Sequence, residues 1–194
     1  MYLPERTKMT ERLSDDNMDQ LEAWIDSGPK TFNLLYSITR DGCDPVPFHS
    51  KCDDKGPTVT VVYNTQGSVY GGYTSLAWQS SGNYKQDDKA FLFQILHSYQ
   101  KLCRKFPSQK TTKSIYHNSE YGPSFGGDST VTDLELFNQK VDPVQGIFSL
   151  SKARGGMNTT ESYEYGGVTA ADINNGTMDV VEIEVYSVTG TNGQ

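Results

Sequence analysis

The stretch GPTVTVVYNTQGSVYGGYTSLAW, Gly56 to Trp78, decides how the chain folds. A turn pair, Gly56-Pro57, opens it, and Thr58 to Tyr63 follows as a run of β-branched and aromatic residues. The run breaks at Asn64-Thr65-Gln66-Gly67 and resumes at Ser68, Val69 and Tyr70. Two strand-forming runs joined by a short polar loop that ends in glycine spell a β-hairpin. Side chains alternate along a strand, so Val59, Val61 and Tyr63 share one face and Thr58, Thr60 and Val62 the other. Gly71-Gly72 deletes two side chains where a packed surface is expected, which marks a bulge or the close approach of another backbone. The stretch supplies no chemistry; it says sheet-rich domain and leaves function open.

On its C-terminal side, Thr74 to Trp78 stays extended and Ser80-Ser81-Gly82-Asn83 makes a polar loop. Ala90 to Leu96 is an apolar run bounded by polar residues, the pattern of a buried central strand. Tyr99 to Ser114 fits either an edge strand or a loop. Leu134, Leu136 and Phe137 form a short strand, and Asp142 to Gly167 is a long glycine-rich connection of the kind a domain pins down or uses. In the closing strand Val180, Glu182, Glu184 and Tyr186 alternate with Val181, Ile183, Val185 and Val188, so one face is expected to carry acids toward solvent and the other to be apolar. On the N-terminal side, residues 1–13 lack periodicity and read as flexible. Ser14 then caps a helix over about 14–27, with Asp15 and Asp16 in its first turn and Met18, Leu21, Trp24 and Ile25 on one face. Phe32 to Ile38 reads as a strand or a short buried helix. Asp44-Pro45 starts another short helix whose Phe48 and Cys52 lie on one side. Residues 14–188 make one domain, and 189–194 read as a linker-like tail.

Composition narrows the function. A length of 194 residues suits one domain with a sizeable core, and 18 Gly with 12 Tyr suits a turn-rich sheet protein. The formal net charge of -7 argues against a nucleic-acid surface, which needs clustered cations. The basic cluster from Lys101 to Lys113 reads as a solvated face. No run approaches a membrane span and no secretory leader opens the sequence, so a cytoplasmic location is expected. Three cysteines, Cys43, Cys52 and Cys103, are expected as reduced thiols rather than a disulfide framework. The sequons at Asn158 and Asn175 are common chance triplets.

Reactive residues are sparse. Cys43, His49 and Cys52, with His97 and Cys103 further on, are irregularly spaced for zinc, so no metal or other cofactor is assigned. No Gly-x-Ser-x-Gly elbow occurs. GPSFGGDST from Gly122 lacks the Gly-Lys-Ser/Thr ending of a phosphate loop and reads as a structural turn. The enzymatic alternative is a thiol-based redox or hydrolytic site using Cys43, Cys52 or Cys103, or the paired carboxylates Glu182 and Glu184.

Five words, in order, resemble the TLDc domain: LLYSITRDGCDPVPFHSKC from Leu34, GPTVTVVYNTQGSVYGGYTSLAW from Gly56, AFLFQI from Ala90, GPSFGGDSTVTDLEL from Gly122 and VVEIEVYSV from Val180. The resemblance implies an α+β, mostly β fold: two antiparallel sheets packed as a sandwich with a few flanking short helices. It carries over Phe48 and Cys52 on the short helix, Gly71, Gly72 and Trp78 on the central strand, and Gly122, Phe125, Gly126 and Gly127 at the glycine turn. Glu184 takes the acidic position of the closing strand, with Tyr186 where Trp is more usual. Extra residues separate Gly127 from Asp133. The leading helix and acidic last strand look most like the interferon-induced protein 44 family, in which a GTP-binding domain follows. The resemblance implies a non-enzymatic protein-interaction module in innate immune, antiviral or oxidative-stress responses. Its partners would be proteins, among them vacuolar proton pump subunits, with the loops from Ser80 to Asp88 and Gly146 to Gly167 as contact surfaces. A homo-oligomer pairing through an exposed edge at Leu134 to Phe137 is the third reading.

Overall fold

The computed structural model describes residues 12–25, 28–127 and 131–190. In chain order the elements are α1 (Asp15–Ile25), β1 (Lys30–Ser37), α2 (Ile38–Asp41), α3 (Pro45–Cys52), β2 (Thr58–Asn64), β3 (Val69–Thr74), β4 (Asn83–Lys85) and β5 (Phe91–His97). They continue with β6 (Gln100–Pro107), β7 (Ile115–His117), β8 (Ser124–Phe125), β9 (Leu134–Glu135), β10 (Phe148–Ser149), β11 (Gly156–Met157), α4 (Ala170–Asn174) and β12 (Asp179–Gly190).

The hairpin forms as its residues dictate, pairing Thr58 with Thr74 through Tyr63 with Val69. Its turn is closed by Asn64, whose Oδ1 accepts from Gln66 N at 3.0 Å and Ser68 N at 2.8 Å, while Gly67 takes a φ of +74°. The hairpin sits in the middle of a seven-stranded sheet of order β1-β12-β2-β3-β5-β6, with β10 also pairing β12. A second sheet of five strands runs β11-β9-β8-β7-β4. All pairings within both sheets are antiparallel. The fold is therefore α+β and mostly β, as the residues and the resemblance imply.

Two cores flank the large sheet. Val62, Tyr70, Leu92, Ile183 and Val185 meet Ile115, Phe125 and Leu134 of the smaller sheet. On the opposite face Val59, Val61, Tyr63, Phe91, Phe93 and Tyr186 are covered by Leu13 and by Met18 and Leu21 of α1. Burial of side chains such as Met18 and Leu21 contributes about 1.5–3 kcal/mol each, which is how an 11-residue helix is held on the sheet. Because both faces are covered, all seven residues of β2 are buried, Thr58 and Thr60 included. The Thr58 hydroxyl is used: it accepts from Trp78 Nε1 at 2.9 Å.

Several expectations change. The closing strand has no solvent-facing acidic side: Glu182 and Glu184 are both 3% exposed. A bulge between Val180 and Glu182 resets the alternation, so Val180 joins Ile183 and Val185 in the first core. Tyr186 and Val188 lie in the second core. The strand runs through Thr189 and Gly190, paired with Thr31 and Lys30, where a tail was expected. Leu13, assigned to the flexible N-terminus, is buried. Residues 1–11, 26, 27 and 191–194 lie outside the described residues. Leu134 and Glu135 do not form an edge, because β9 is flanked by β8 and β11. The ambiguous run at Phe32 is strand β1, and the vague segment after Tyr99 contains β6.

Candidate functional site: the outer face of the smaller sheet

Most of the motif residues converge inside the molecule. Phe48 packs edge-on against Trp78 with ring centroids 5.7 Å apart, and Trp78 against Phe125 at 5.5 Å. These three rings join α3, the segment after β3, and β8. A Cβ on Gly72 would come within 2.7 Å of the Phe125 ring, and one on Gly71 would fall onto the backbone carbonyl of Thr60. The glycine pair therefore lets a neighbouring strand and an aromatic ring come close. Cys52 is fully buried in the same core.

The glycine turn is built around a buried acid that sequence reasoning left unassigned. Asp133 is fully buried and accepts from Thr160 N at 3.1 Å, from the Thr160 hydroxyl and from Tyr165 OH at 2.7 Å. Burial pushes its carboxyl pKa up, opposed by these hydrogen bonds. Gly126, at φ +66°, leaves no room for a Cβ beside this carboxylate, and Gly127 N donates to Ser162 Oγ at 3.0 Å. The extra residues thus leave Gly126 against Asp133; positions 128–130 themselves lie outside the described residues. Gly122 lies against the Phe137 ring. Glu184 belongs to the other core, where its Oε2 accepts from Tyr186 OH at 2.8 Å and Tyr63 OH at 3.0 Å. Glu182 accepts from Thr39 N at 3.2 Å, so the two glutamates have separate partners.

The thiols are not brought together with a base. Cys43 is buried, and burial with the nearby Asp44 charge pushes its pKa up to about 12. Burial also raises Cys52, whereas an activated thiol needs the opposite shift. Cys103 is partly exposed on β6. Among the described residues no group of three or more His, Cys, Asp or Glu side chains could hold a metal ion, and no helix is long and apolar enough to cross a membrane. The sequon amides are occupied: Asn158 Nδ2 donates to Thr132 O at 2.9 Å and Asn175 Nδ2 to Ser98 Oγ at 3.0 Å.

His49, Asp53 and Ser80 do meet, in a geometry unlike a nucleophilic triad. Asp53 Oδ1 lies 2.7 Å from His49 Nδ1, and Ser80 Oγ donates to Asp53 Oδ2 at 2.8 Å while lying 3.4 Å from the same Nδ1. The other ring nitrogen faces the carbonyls of Asn118 at 2.9 Å and Tyr121 at 2.8 Å. In a triad that nitrogen takes the proton of the serine. Here it clamps the 118–121 loop to α3.

The clamp positions a surface feature. β4 and β7 pair Tyr84 with Tyr116, and their rings lie 4.5 Å apart on the side of the sheet away from the core. Tyr121, on the clamped loop, adds an edge-to-face contact with Tyr116 at 5.4 Å. All three tyrosines are half-buried. Asn118 Nδ2 donates to Tyr116 OH at 2.9 Å, and Lys113 Nζ lies 5.3 Å above the Tyr84 ring. Tyr84 falls within the Ser80 to Asp88 segment that sequence reading singled out. Tyr116 and Tyr121 were missed, although Ile115-Tyr116-His117 alternates in the manner of a strand with one aromatic outward. The second segment, Gly146 to Gly167, is less open than expected: Phe148, Leu150, Ala153, Met157, Tyr163 and Tyr165 are buried.

Comparison with known proteins agrees with this architecture. The TLDc domain model matches residues 8–189. Over 64 residues, 33% of this chain, the sequence is 30% identical to MTOR-associated protein MEAK7 from Danio rerio, and the match covers 14% of that protein. Matched over nearly its whole length, the chain belongs to the TLDc domain family.

Proposed function

We propose that the chain is a non-enzymatic protein-interaction module that meets its partner with Tyr84, Tyr116 and Tyr121. The observation that carries this reading is the set of three contacting, half-buried rings on the outer face of the smaller sheet. Tyrosine brings large contact area at low entropic cost, and energetic hot spots at interfaces are rich in it. The raised thiols Cys43 and Cys52 weigh against the redox or hydrolytic alternative. The family resemblance extends the reading to a cytoplasmic innate-immune or stress-response protein of interferon-induced 44 type, joined to a GTP-binding domain, with proton pump subunits as partners. The relative MEAK7, an MTOR-associated protein, adds association with MTOR as a second setting.

Affinity capture of the parent chain and of Tyr84→Ala/Tyr116→Ala from the same cells tests the reading. Loss of two hot-spot rings lowers partner recovery by about tenfold or more. Unchanged recovery by a folded double variant overturns it.

A further inference from the structure

Between Lys89 and Ser119 the chain carries six Lys and Arg residues and no Asp or Glu. Three of these cations, Lys101, Arg104 and Lys105, lie on β6, the last strand of the large sheet, which among the strands of the described residues pairs with β5 alone. Lys101 and Lys105 are exposed and Arg104 is half-buried. Ser108 N donates to Ala90 O at 2.9 Å, so Ser108 faces β5 and the antiparallel alternation turns Pro107 and Lys105 outward.

The protein already places its own strand on this margin. Glu164 N donates to Pro107 O and Gln109 N to Ser162 O, both at 2.9 Å, across an antiparallel bridge between Ser108 and Tyr163. The segment that does so, Glu161-Ser162-Tyr163-Glu164, is acidic at both ends. It stops where Tyr165 turns inward against Phe106, with rings 5.2 Å apart. No other strand of the described residues pairs with β6 from Phe106 back to Gln100. The opposite margin differs: on β1 the carbonyl of Leu35, at a bulge, accepts from Arg40 Nη2 at 2.7 Å.

We propose that an acidic, extended segment of a partner protein adds to β6 as a further antiparallel strand. It continues where Ser162–Glu164 leaves off and sets carboxylates beside Lys101 and Arg104; the Lys105 ammonium is already held, donating to Trp24 O at 2.8 Å above the Phe91 ring. Backbone pairing supplies the register and the charges supply the choice of partner. A second copy of this chain is a poor occupant. Two β6 strands laid side by side would bring Lys101, Arg104 and Lys105 of each against the same cations of the other, and like charges across a strand pair destabilise it.

The test uses the full chain and a short synthetic peptide alternating Glu and Val. One control alternates Lys and Val, and another keeps the Glu content but carries interspersed Pro, which removes ladder donors. The Glu-Val peptide is expected to slow exchange of the Lys105 amide by about tenfold at saturation. Neither control should do so, and Lys101→Glu/Arg104→Glu should weaken binding by about tenfold. The proposal is overturned if the Pro-bearing peptide binds equally well, if Lys105 exchange does not slow, or if the charge reversals leave binding unchanged. Tyr84→Ala/Tyr116→Ala should bind the Glu-Val peptide as the parent does, so failure here and failure of the tyrosine face are told apart.

Discussion

The two sheets of this molecule use the same residue types to opposite ends. The large sheet is covered on both faces, by the smaller sheet on one and by α1 on the other, and its tyrosines Tyr70, Tyr73 and Tyr186 are buried. Among the described residues the smaller sheet is buried on both faces at β8 and β9 but leaves one face of β4 and β7 partly open. Its inner residues, Ile115, His117, Phe125 and Leu134, are buried, while Tyr84 and Tyr116 remain half-buried on the outer side. The contrast teaches that tyrosine content alone does not mark a binding face. What separates the two cases is whether another layer lies over the ring.

The sharpest way to break the comparison is to damage the core between the large sheet and the smaller one. Trp78→Ala should cost about 3–5 kcal/mol in urea unfolding, because the rings of Phe48 and Phe125 lose the partner between them. A cost below about 1 kcal/mol would mean that this aromatic joint does not hold the layers together.

A pH titration probes the seam next. His117 is 2% exposed, neither ring nitrogen has a hydrogen-bond partner among the described residues, and burial lowers its pKa to about 4. In the unfolded chain the same ring titrates near 6.5, so the unfolded state takes up the proton first as pH falls. The stability tied to a neutral His117 is complete above about pH 6.5 and drains away toward about pH 4, on the order of 3 kcal/mol in all. His117→Phe should flatten that part of the profile, measured by denaturant midpoints at each pH.

Glu184→Gln tests the second core and should cost about 1–3 kcal/mol, since two tyrosine hydroxyls donate to a buried carboxylate there. The smallest effect on stability is expected at Tyr84→Ala, within about 1.5 kcal/mol in thermal or urea melts, the worth of one aromatic pair. A larger loss would move Tyr84 from the contact face into the structural frame.

Much of the large sheet was readable in the sequence. The hairpin, the buried run of β5 and the helix caps at Ser14 and Asp44 rest on local rules, and Asp44 Oδ1 indeed accepts from Val46 N at 2.8 Å. Misreadings arose where tertiary packing intervenes. Alternation in the last strand pointed the acids to water, because nothing local announces that α1 and its neighbours cover that face, or that a bulge follows Val180. The smaller sheet was largely hidden, since β8, β9 and β11 have two residues each and carry no periodicity to detect. The tyrosine face depends on a pairing, Tyr84 with Tyr116, between residues far apart in sequence. The clamp from His49 to Asn118 and Tyr121 is equally non-local.

An alanine scan of all strand positions, read for stability and partner binding side by side, tests the division between the two sheets most directly. Large-sheet positions should lose stability and binding together, whereas Tyr84 and Tyr116 should lose binding by about tenfold or more with stability nearly intact. Tyrosine positions that lose both in proportion, or neither, would contradict the account.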